Sequence, residues 1–128
     1  MTKDYDYSTY VDNAMRAVVR DVLRQVQANG LMDPHHFFIT FRTDAPGVAM
    51  SAMLRSKYPH EITIVMQHQF RELRVEQDVF KVVLSFNNIP EKLTIPFAAL
   101  TGFADPSVKF GLQFHASDDE AAQKAAGH

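Results

Sequence analysis

The sequence predicts an α+β fold, in which one N-terminal helix packs on a small, strongly curved β-barrel of about six short strands. Apolar residues recur with the 3.6-residue period of a helix up to Gly30, and with the two-residue period of strands after it. Turn-forming residues separate the later segments closely, and short strands with tight turns favour a curved sheet or barrel. We expect a single domain over residues 1–115, with the barrel in 36–115 and a flexible, disordered tail in 116–128.

The helix is predicted over residues 9–29, with Ser8 or Thr9 as its cap and Gly30, which tolerates a left-handed conformation, at its end. Its apolar residues form one face about 140° wide. That face comprises Val11, Met15, Val18, Val19, Val22, Leu23 and Val26, and a flank of small residues and one aromatic comprises Tyr10, Ala14 and Ala17. Such a flank can serve a partner helix as well as the core. An arginine stripe, formed by Arg16, Arg20 and Arg24, is expected to face water.

Six later segments alternate apolar and polar residues as strands do. They lie near residues 37–42, 62–67, 70–76, 80–86, 93–97 and 108–114. Turns are predicted at residues 44–47, 76–78 and 87–88, where Gly, Asp and Asn are concentrated. Residues 48–58 fit either a short strand or a helical turn, and Pro96 is expected near an edge or end of the sheet.

Composition excludes several classes of protein. The 128 residues include 13 Lys and Arg against 15 Asp and Glu, and a net charge of −2 disfavours a protein that mainly coats nucleic acid or acidic membranes. The lack of cysteine excludes disulfides, thiol nucleophiles and thiolate metal sites. No apolar run approaches the roughly 20 residues of a membrane span, and no secretory signal is present, so we predict a cytoplasmic protein.

Catalytic and metal-binding patterns are missing from the sequence. No histidines share the spacing of metal ligands, no serine lies in a G-x-S-x-G turn, and the glycines are too scattered for a phosphate loop. We therefore predict a binding protein without enzymatic activity, metal or cofactor. Two alternatives stay open: RNA binding through the arginine stripe or exposed phenylalanines, and a small hydrolase that uses His68.

One segment has the mixture of groups that a peptide groove needs. Gln67-His68-Gln69-Phe70 interrupts the apolar rhythm and offers amide and imidazole donors beside an aromatic that we expect to be exposed. Val83 and Ser85 lie on a nearby strand, on the face opposite the predicted core. An ordinary polar loop is the alternative interpretation of this segment.

The order of the segments resembles a known family. The matching runs are FFITF at 37–41, APGV at 45–48, ITIVMQ at 62–67, LSFNNIP at 84–90, TIPFAAL at 94–100 and FADPSVKFGLQF at 103–114. Together they resemble the SspB (stringent starvation protein B) family, in particular its alphaproteobacterial type. The members of this family are adaptors that bring proteins carrying the ssrA degradation tag to the ClpXP protease.

The resemblance implies an Sm-like barrel and a groove for the ssrA tag, a short peptide that contains Ala, Asn and Asp. The implied peptide-binding residues are Gln67, His68, Gln69, Phe70, Arg71, Val83 and Ser85. Better-known members carry an arginine at the last of these positions, so here His68, Gln69 or Arg71 would have to receive the tag's carboxylate.

The resemblance also implies a homodimer and a second protein partner. The implied dimer interface comprises Tyr10, Val11, Ala14, Ala17 and Val18. Family members dock on the N-terminal domain of ClpX through an apolar and basic motif at the end of a flexible tail. No such motif follows Phe114, where acidic residues and alanines prevail, so we expect a shortened tail and a chain that binds tags without delivering them.

Overall fold

The computed structural model describes residues 5–67 and 69–115, and within them the chain forms two α-helices and seven strands. The helices are α1 (Tyr7–Asn29) and α2 (Ala52–Lys57). The strands are β1 (Phe37–Arg42), β2 (Glu61–Met66), β3 (Arg71–Val75), β4 (Val79–Phe86), β5 (Ile89–Pro96), β6 (Leu100–Asp105) and β7 (Phe110–Gln113). Short 3₁₀ turns at Phe97–Ala99 and Pro106–Val108 lead into and out of β6.

The strands form two antiparallel sheets rather than a closed barrel. One sheet has the order β2-β1-β6-β7 and the other the order β3-β4-β5. The prediction of a barrel is therefore wrong, although the α+β class is confirmed. Within the described residues, no strand of one sheet pairs with a strand of the other. The chain passes from β2 in the first sheet to β3 in the second. Outside the named strands, Ala49 forms an isolated bridge with Thr94 of β5.

The structure contains one strand that the sequence did not predict, and it decides between the two alternatives for residues 48–58. Strand β6 is hidden because its outward positions hold small residues such as Gly102 and Ala104, so apolar and polar residues do not alternate clearly. Helix α2 resolves the ambiguous segment: the Ser51 hydroxyl accepts a hydrogen bond from the Leu54 backbone N–H at 3.1 Å, as an N-cap does. Pro59 follows α2 closely, where a helix cannot continue.

The N-terminus of α1 differs from the prediction and its C-terminus agrees. Asp6 caps the helix instead of Ser8 or Thr9: its carboxylate accepts from the Thr9 backbone N–H at 3.1 Å and from the Thr9 hydroxyl at 2.6 Å. These bonds, together with one from the Ser8 hydroxyl, lower the pKa of Asp6. At the other end Gly30 adopts a φ of +83°, and its N–H donates to the Val26 carbonyl at 2.7 Å.

The core lies between α1 and the inner faces of the two sheets. The predicted inward alternation of β1, β2 and β4 is confirmed, with Phe41, Ile64 and Phe80 among the fully buried side chains. The apolar face of α1 is narrower than predicted. Val19, Leu23 and Val26 are buried, whereas Val11 and Val18 remain 54% and 41% exposed.

The arginine stripe does not face water as a whole, so that prediction is wrong. Arg16 is only 5% exposed: its guanidinium lies 5.4 Å from the ring centroid of Phe114 and donates to the carbonyls of Asn13 (side chain, 2.9 Å) and His115 (backbone). Arg20 is half-buried, over the ring of Phe97. An arginine can lie beside a core because its apolar stem packs there, while an aromatic ring and carbonyl oxygens interact with its guanidinium group.

Several predicted turns are confirmed. Asn87 and Asn88 adopt positive φ values of 52° and 66° between β4 and β5, and the Glu76 N–H donates to the Val79 carbonyl at 2.8 Å in the turn between β3 and β4. Pro96 ends β5, an edge strand, as expected. The predicted tail, residues 116–128, lies outside the described residues. The domain boundary at 115 stays a prediction.

Candidate functional site

The segment predicted to bind peptide forms the turn between the two sheets. Gln67 and Gln69 are exposed, and the Phe70 N–H donates to the Gln67 carbonyl at 3.2 Å, which closes the turn. Phe70 is half-buried and packs against the core, so the expectation of an exposed aromatic is wrong. His68 lies outside the described residues. The turn therefore offers two exposed amide side chains at the start of an edge strand.

Strand pairing brings the other predicted residues to the same place. Arg71 and Val83 are direct partners on the antiparallel strands β3 and β4. Because the strands run in opposite directions, the turn that precedes Arg71 lies toward the end of β4 that carries Ser85. Arg71 and Ser85 are both exposed. The predicted peptide-binding residues within the described part of the chain thus converge at one end of the three-stranded sheet.

The outer face of the three-stranded sheet is basic. Val83 pairs with Arg71 on one side and with Lys92 of β5 on the other, and residues directly opposite each other share a face. We call this set, Arg71, Val83 and Lys92, the basic row. The next row along the sheet pairs Arg74 with Lys81. Val83 is only 8% exposed although it does not belong to the core cluster.

A β-bulge places two arginines on this face. Arg71 pairs with Val83 and Arg74 with Lys81, so three steps along β3 match two steps along β4. Glu72, within the bulge, adopts a positive φ of 54°. In a regular strand, residues three apart would point to opposite faces. The extra residue restores the alternation and turns both arginines outward.

Among the described residues, few cations on the outer face of the three-stranded sheet have a carboxylate close to them. Lys81 forms a 3.7 Å ion pair with Glu76. Within residues 5–67 and 69–115, neither Arg71 nor Lys92 lies within 4.0 Å of a carboxylate oxygen, and the same holds for Arg74. Sequence reasoning missed Lys92. The signal that could have found it is the alternation of β5, because its neighbour Leu93 faces the core.

A serine, a histidine and an aspartate also come together, which the sequence did not indicate. His35 Nδ1 lies 2.7 Å from Asp105 Oδ2, and the Ser107 hydroxyl donates to Asp105 Oδ1 at 2.6 Å. Burial acts to raise the pKa of Asp105, but the hydrogen bonds from Ser107 and His35 outweigh it and hold that pKa below its ordinary value.

This trio is arranged to cap a turn rather than to activate a nucleophile. Ser107 Oγ lies 3.4 Å from His35 Nδ1, the same ring nitrogen that contacts Asp105. In a catalytic triad the acid and the nucleophile contact different ring nitrogens. Asp105 instead accepts from the Ser107 backbone N–H and caps the 3₁₀ turn after β6.

Searches for a metal centre and a membrane span gave no candidate. Among the described residues, no three His, Asp or Glu side chains are grouped so that they could hold a metal ion. In the same part of the chain, neither helix combines the length and the apolar character that crossing a membrane requires.

An apolar stripe on α1 has no partner within the described chain. Tyr10, Val11 and Val18 are exposed, as is Ala14, while Ala17 is half-buried. They follow one another at helical spacing on the side away from Leu23 and Val26. This exposed stripe contains the residues predicted to form a dimer interface, and the interface itself stays a prediction.

These features define a class: a helix packed on two small antiparallel sheets, with an exposed polar turn between the sheets and an outward basic face on one of them. The sequence profile of the family described as SspB, stringent starvation protein B, matches residues 9–128. The chain therefore belongs to the SspB family, which confirms the resemblance. No curated protein matches the chain. Family membership indicates an adaptor role with the ClpXP protease in general terms.

Proposed function

We propose that this protein binds the ssrA degradation tag and tethers tagged proteins to ClpXP. The observation that supports the proposal most directly is that Gln67 and Gln69 lie toward the same end of the three-stranded sheet as Val83 of its central strand. Extended peptides bind where backbone partners, amide side chains and an apolar position lie together. The proposal needs no chemical step, because an adaptor acts by raising the local concentration of its cargo.

Two glutamines are expected to hold the backbone of the tag. Each carboxamide can donate and accept, so an exposed pair can satisfy both the N–H and C=O groups of an extended peptide. Gln67 and Gln69 are both exposed and flank the turn that opens β3. Since the hydrogen-bonding partners come from the protein, the peptide's backbone polar groups are not left unsatisfied on binding.

The test is a fluorescence anisotropy titration of a labelled ssrA-tag peptide with the wild-type chain and the double variant Gln67→Ala/Gln69→Ala. We expect at least a tenfold loss of affinity, since two hydrogen bonds contribute about 1 kcal/mol each. Gln25→Ala/Gln113→Ala removes two exposed glutamines from α1 and β7 and serves as the control. Equal affinity of wild type and the first double variant would contradict the site.

We also propose a homodimer formed through the exposed stripe on α1. Val11 and Val18 are the two valines of that stripe, and they are 54% and 41% exposed. Substituting both by Asp would place charges in the interface, so sedimentation equilibrium is expected to show monomers. Val65→Asp/Val108→Asp is the matched control, because these valines are 44% and 56% exposed, on β2 and in the 3₁₀ turn after β6. A wild-type monomer at micromolar concentration would contradict the proposal.

The N-terminal domain of ClpX is the proposed second partner. A degradation assay with purified ClpXP and a tagged substrate held well below its KM measures delivery directly. An adaptor that tethers accelerates this reaction without changing kcat at saturation. Faster degradation in the presence of this chain is the expected result, and a rate equal to that without it would contradict tethering to ClpX.

A further inference from the structure

We propose that the basic row selects peptides that carry a carboxylate, with Arg71 and Lys92 receiving the carboxylate from either side of Val83. This inference rests on the proposed tag binding and adds the feature by which the site recognises its peptide. The expected ligand is an extended acidic peptide, such as the Asp-containing part of the tag.

The sheet register fixes the geometry of the row. Arg71 and Lys92 lie on the two strands that flank β4, each directly opposite Val83. Directly paired residues are about 5 Å apart at Cα, so the two cations are separated by about 10 Å at the backbone. Both side chains are long enough to converge over the valine or to lean aside from it. A ligand carboxylate placed above the middle of the row would therefore have a cation on each side.

The burial of Val83 supports an apolar centre with charged borders. It is 8% exposed although it points away from the core, and its direct neighbours are an arginine and a lysine. The stems of such residues cover apolar surface while their charged ends stay in water. The centre of the row is thus shielded, and the guanidinium and ammonium groups remain accessible at its borders.

Charge complementarity favours an acidic partner. Arg71, Arg74 and Lys92 have no carboxylate within 4.0 Å among the described residues, so a ligand carboxylate has no internal anion to displace. Ion pairs formed at an accessible row strengthen when an apolar contact excludes water from them. Ser85, which is exposed, lies on the same face of β4 two residues beyond Val83 and adds a hydroxyl without a charge.

A peptide fits this face better than RNA does. Binding of single strands without sequence preference relies on exposed aromatic rings as well as on cations. The basic row has a valine at its centre, and Phe70, the nearest aromatic in sequence, packs against the core. The chain also carries a net charge of −2, which gives no long-range attraction for a polyanion.

The experiment compares two peptides, one acidic and one neutral, across wild type and single-charge variants of the protein. Labelled tag peptide and the same peptide with each Asp replaced by Asn are titrated with wild type, Arg71→Gln and Lys92→Gln. Lys57→Gln, an exposed lysine on α2, is the control for the loss of one charge. Thermal melting of each variant shows that the fold is retained, and unlabelled single-stranded RNA is added as a competitor.

We expect wild type to prefer the acidic peptide by about tenfold, and each row variant to lose about three- to fivefold for that peptide while its affinity for the Asn peptide stays within twofold. Row variants that weaken both peptides equally, or a wild type that binds both equally, would overturn carboxylate selection and leave tag binding intact. If neither peptide binds wild type, the proposed function itself fails. Displacement of the peptide by RNA at lower concentration than by unlabelled peptide would overturn the choice of ligand.

Discussion

The two sheets have similar inner faces and different outer faces. Inside, both sheets contribute fully buried residues such as Phe41 and Phe80 to one core. Outside, the four-stranded sheet presents two neighbouring rows without a charge, whereas the three-stranded sheet presents the basic row and a second row with Arg74 and Lys81. The first uncharged row runs Val65, Phe38, Ala104 and Gly111, and the second runs Thr63, Thr40, Gly102 and Gln113.

The uncharged face is shallow as well as neutral. Its central positions hold Gly102 and Ala104, which leave a broad depression of about 660 Å³, and the Thr40 and Thr63 hydroxyls satisfy each other at 2.7 Å. The three-stranded sheet instead surrounds a shielded valine with unpaired cations within the described residues. Inward residues thus give both sheets the same core, while outward residues make one face basic and leave two rows of the other uncharged.

The largest expected effect comes from reversing the charge of the basic row. Arg71→Glu/Lys92→Glu is expected to weaken binding of the acidic tag peptide by at least 100-fold, because two attractions become two repulsions; this corresponds to about 2.7 kcal/mol. Fluorescence anisotropy measures it. Lys57→Glu/Lys109→Glu, two exposed lysines elsewhere, changes the net charge equally and is expected to change affinity less than threefold. A similar loss in both double variants would show a general charge effect instead of a row.

The next effect compares two outward valines. Val83→Ala is expected to lower the free energy of unfolding by about 1–2 kcal/mol, because it removes two methyl groups from a position that is 8% exposed. Val65→Ala, on the uncharged face and 44% exposed, is expected to lower it by less than about 0.5 kcal/mol. Urea denaturation followed by circular dichroism measures both. Equal losses would mean that the basic row does not shield its centre.

A smaller effect is the pH dependence of stability that Asp105 gives the four-stranded sheet. Asp105 ends β6 of the four-stranded sheet, and its folded-state pKa lies below the ordinary value of 3.8. The stabilisation from its ionised form is therefore present above about pH 4 and is lost as pH falls through the folded-state pKa. Asp105→Asn is expected to cost about 1 kcal/mol at pH 7 and to reduce the loss of stability between pH 5 and 3. A pH profile of stability parallel to that of wild type would contradict this role.

The sequence was sufficient where one physical pattern dominated. The inward residues of β1, β2 and β4 alternate strictly, and the positive φ of Asn87 and Asn88 follows from their residue type. Pairing between distant strands leaves no such local pattern. The open arrangement of the two sheets depends on which strand lies beside which, so no local pattern predicts it. Strand β6 was missed for a local reason, because its outward positions hold small residues such as Gly102 and Ala104.

The site was predictable in part for the same reason. The polar turn is visible as an interruption of the apolar rhythm, and Val83 as an apolar residue on the predicted outward face of its strand. Lys92 joins the site only through the register between β4 and β5, and Arg71 and Arg74 share a face only because of the bulge at Glu72. Arg16 shows the reverse error: helical spacing suggested a solvated stripe, but Phe114 and the His115 carbonyl cover its guanidinium.

The smallest expected effect is that of salt, and it tests whether the difference between the two outer faces lies in charge. Raising ionic strength from about 0.05 to 0.5 M shortens the screening length severalfold, so accessible ion pairs at the basic row weaken. We expect the affinity of wild type for the acidic tag peptide to fall about two- to threefold, and that for its Asn counterpart to stay constant. The loss is modest because only two protein cations, Arg71 and Lys92, face the ligand across Val83. A polyanion such as RNA, which releases many counterions, would show a far steeper dependence. Anisotropy titrations at four salt concentrations measure the slope, and an acidic peptide that binds equally at all of them would assign its affinity to the valine and the glutamines alone.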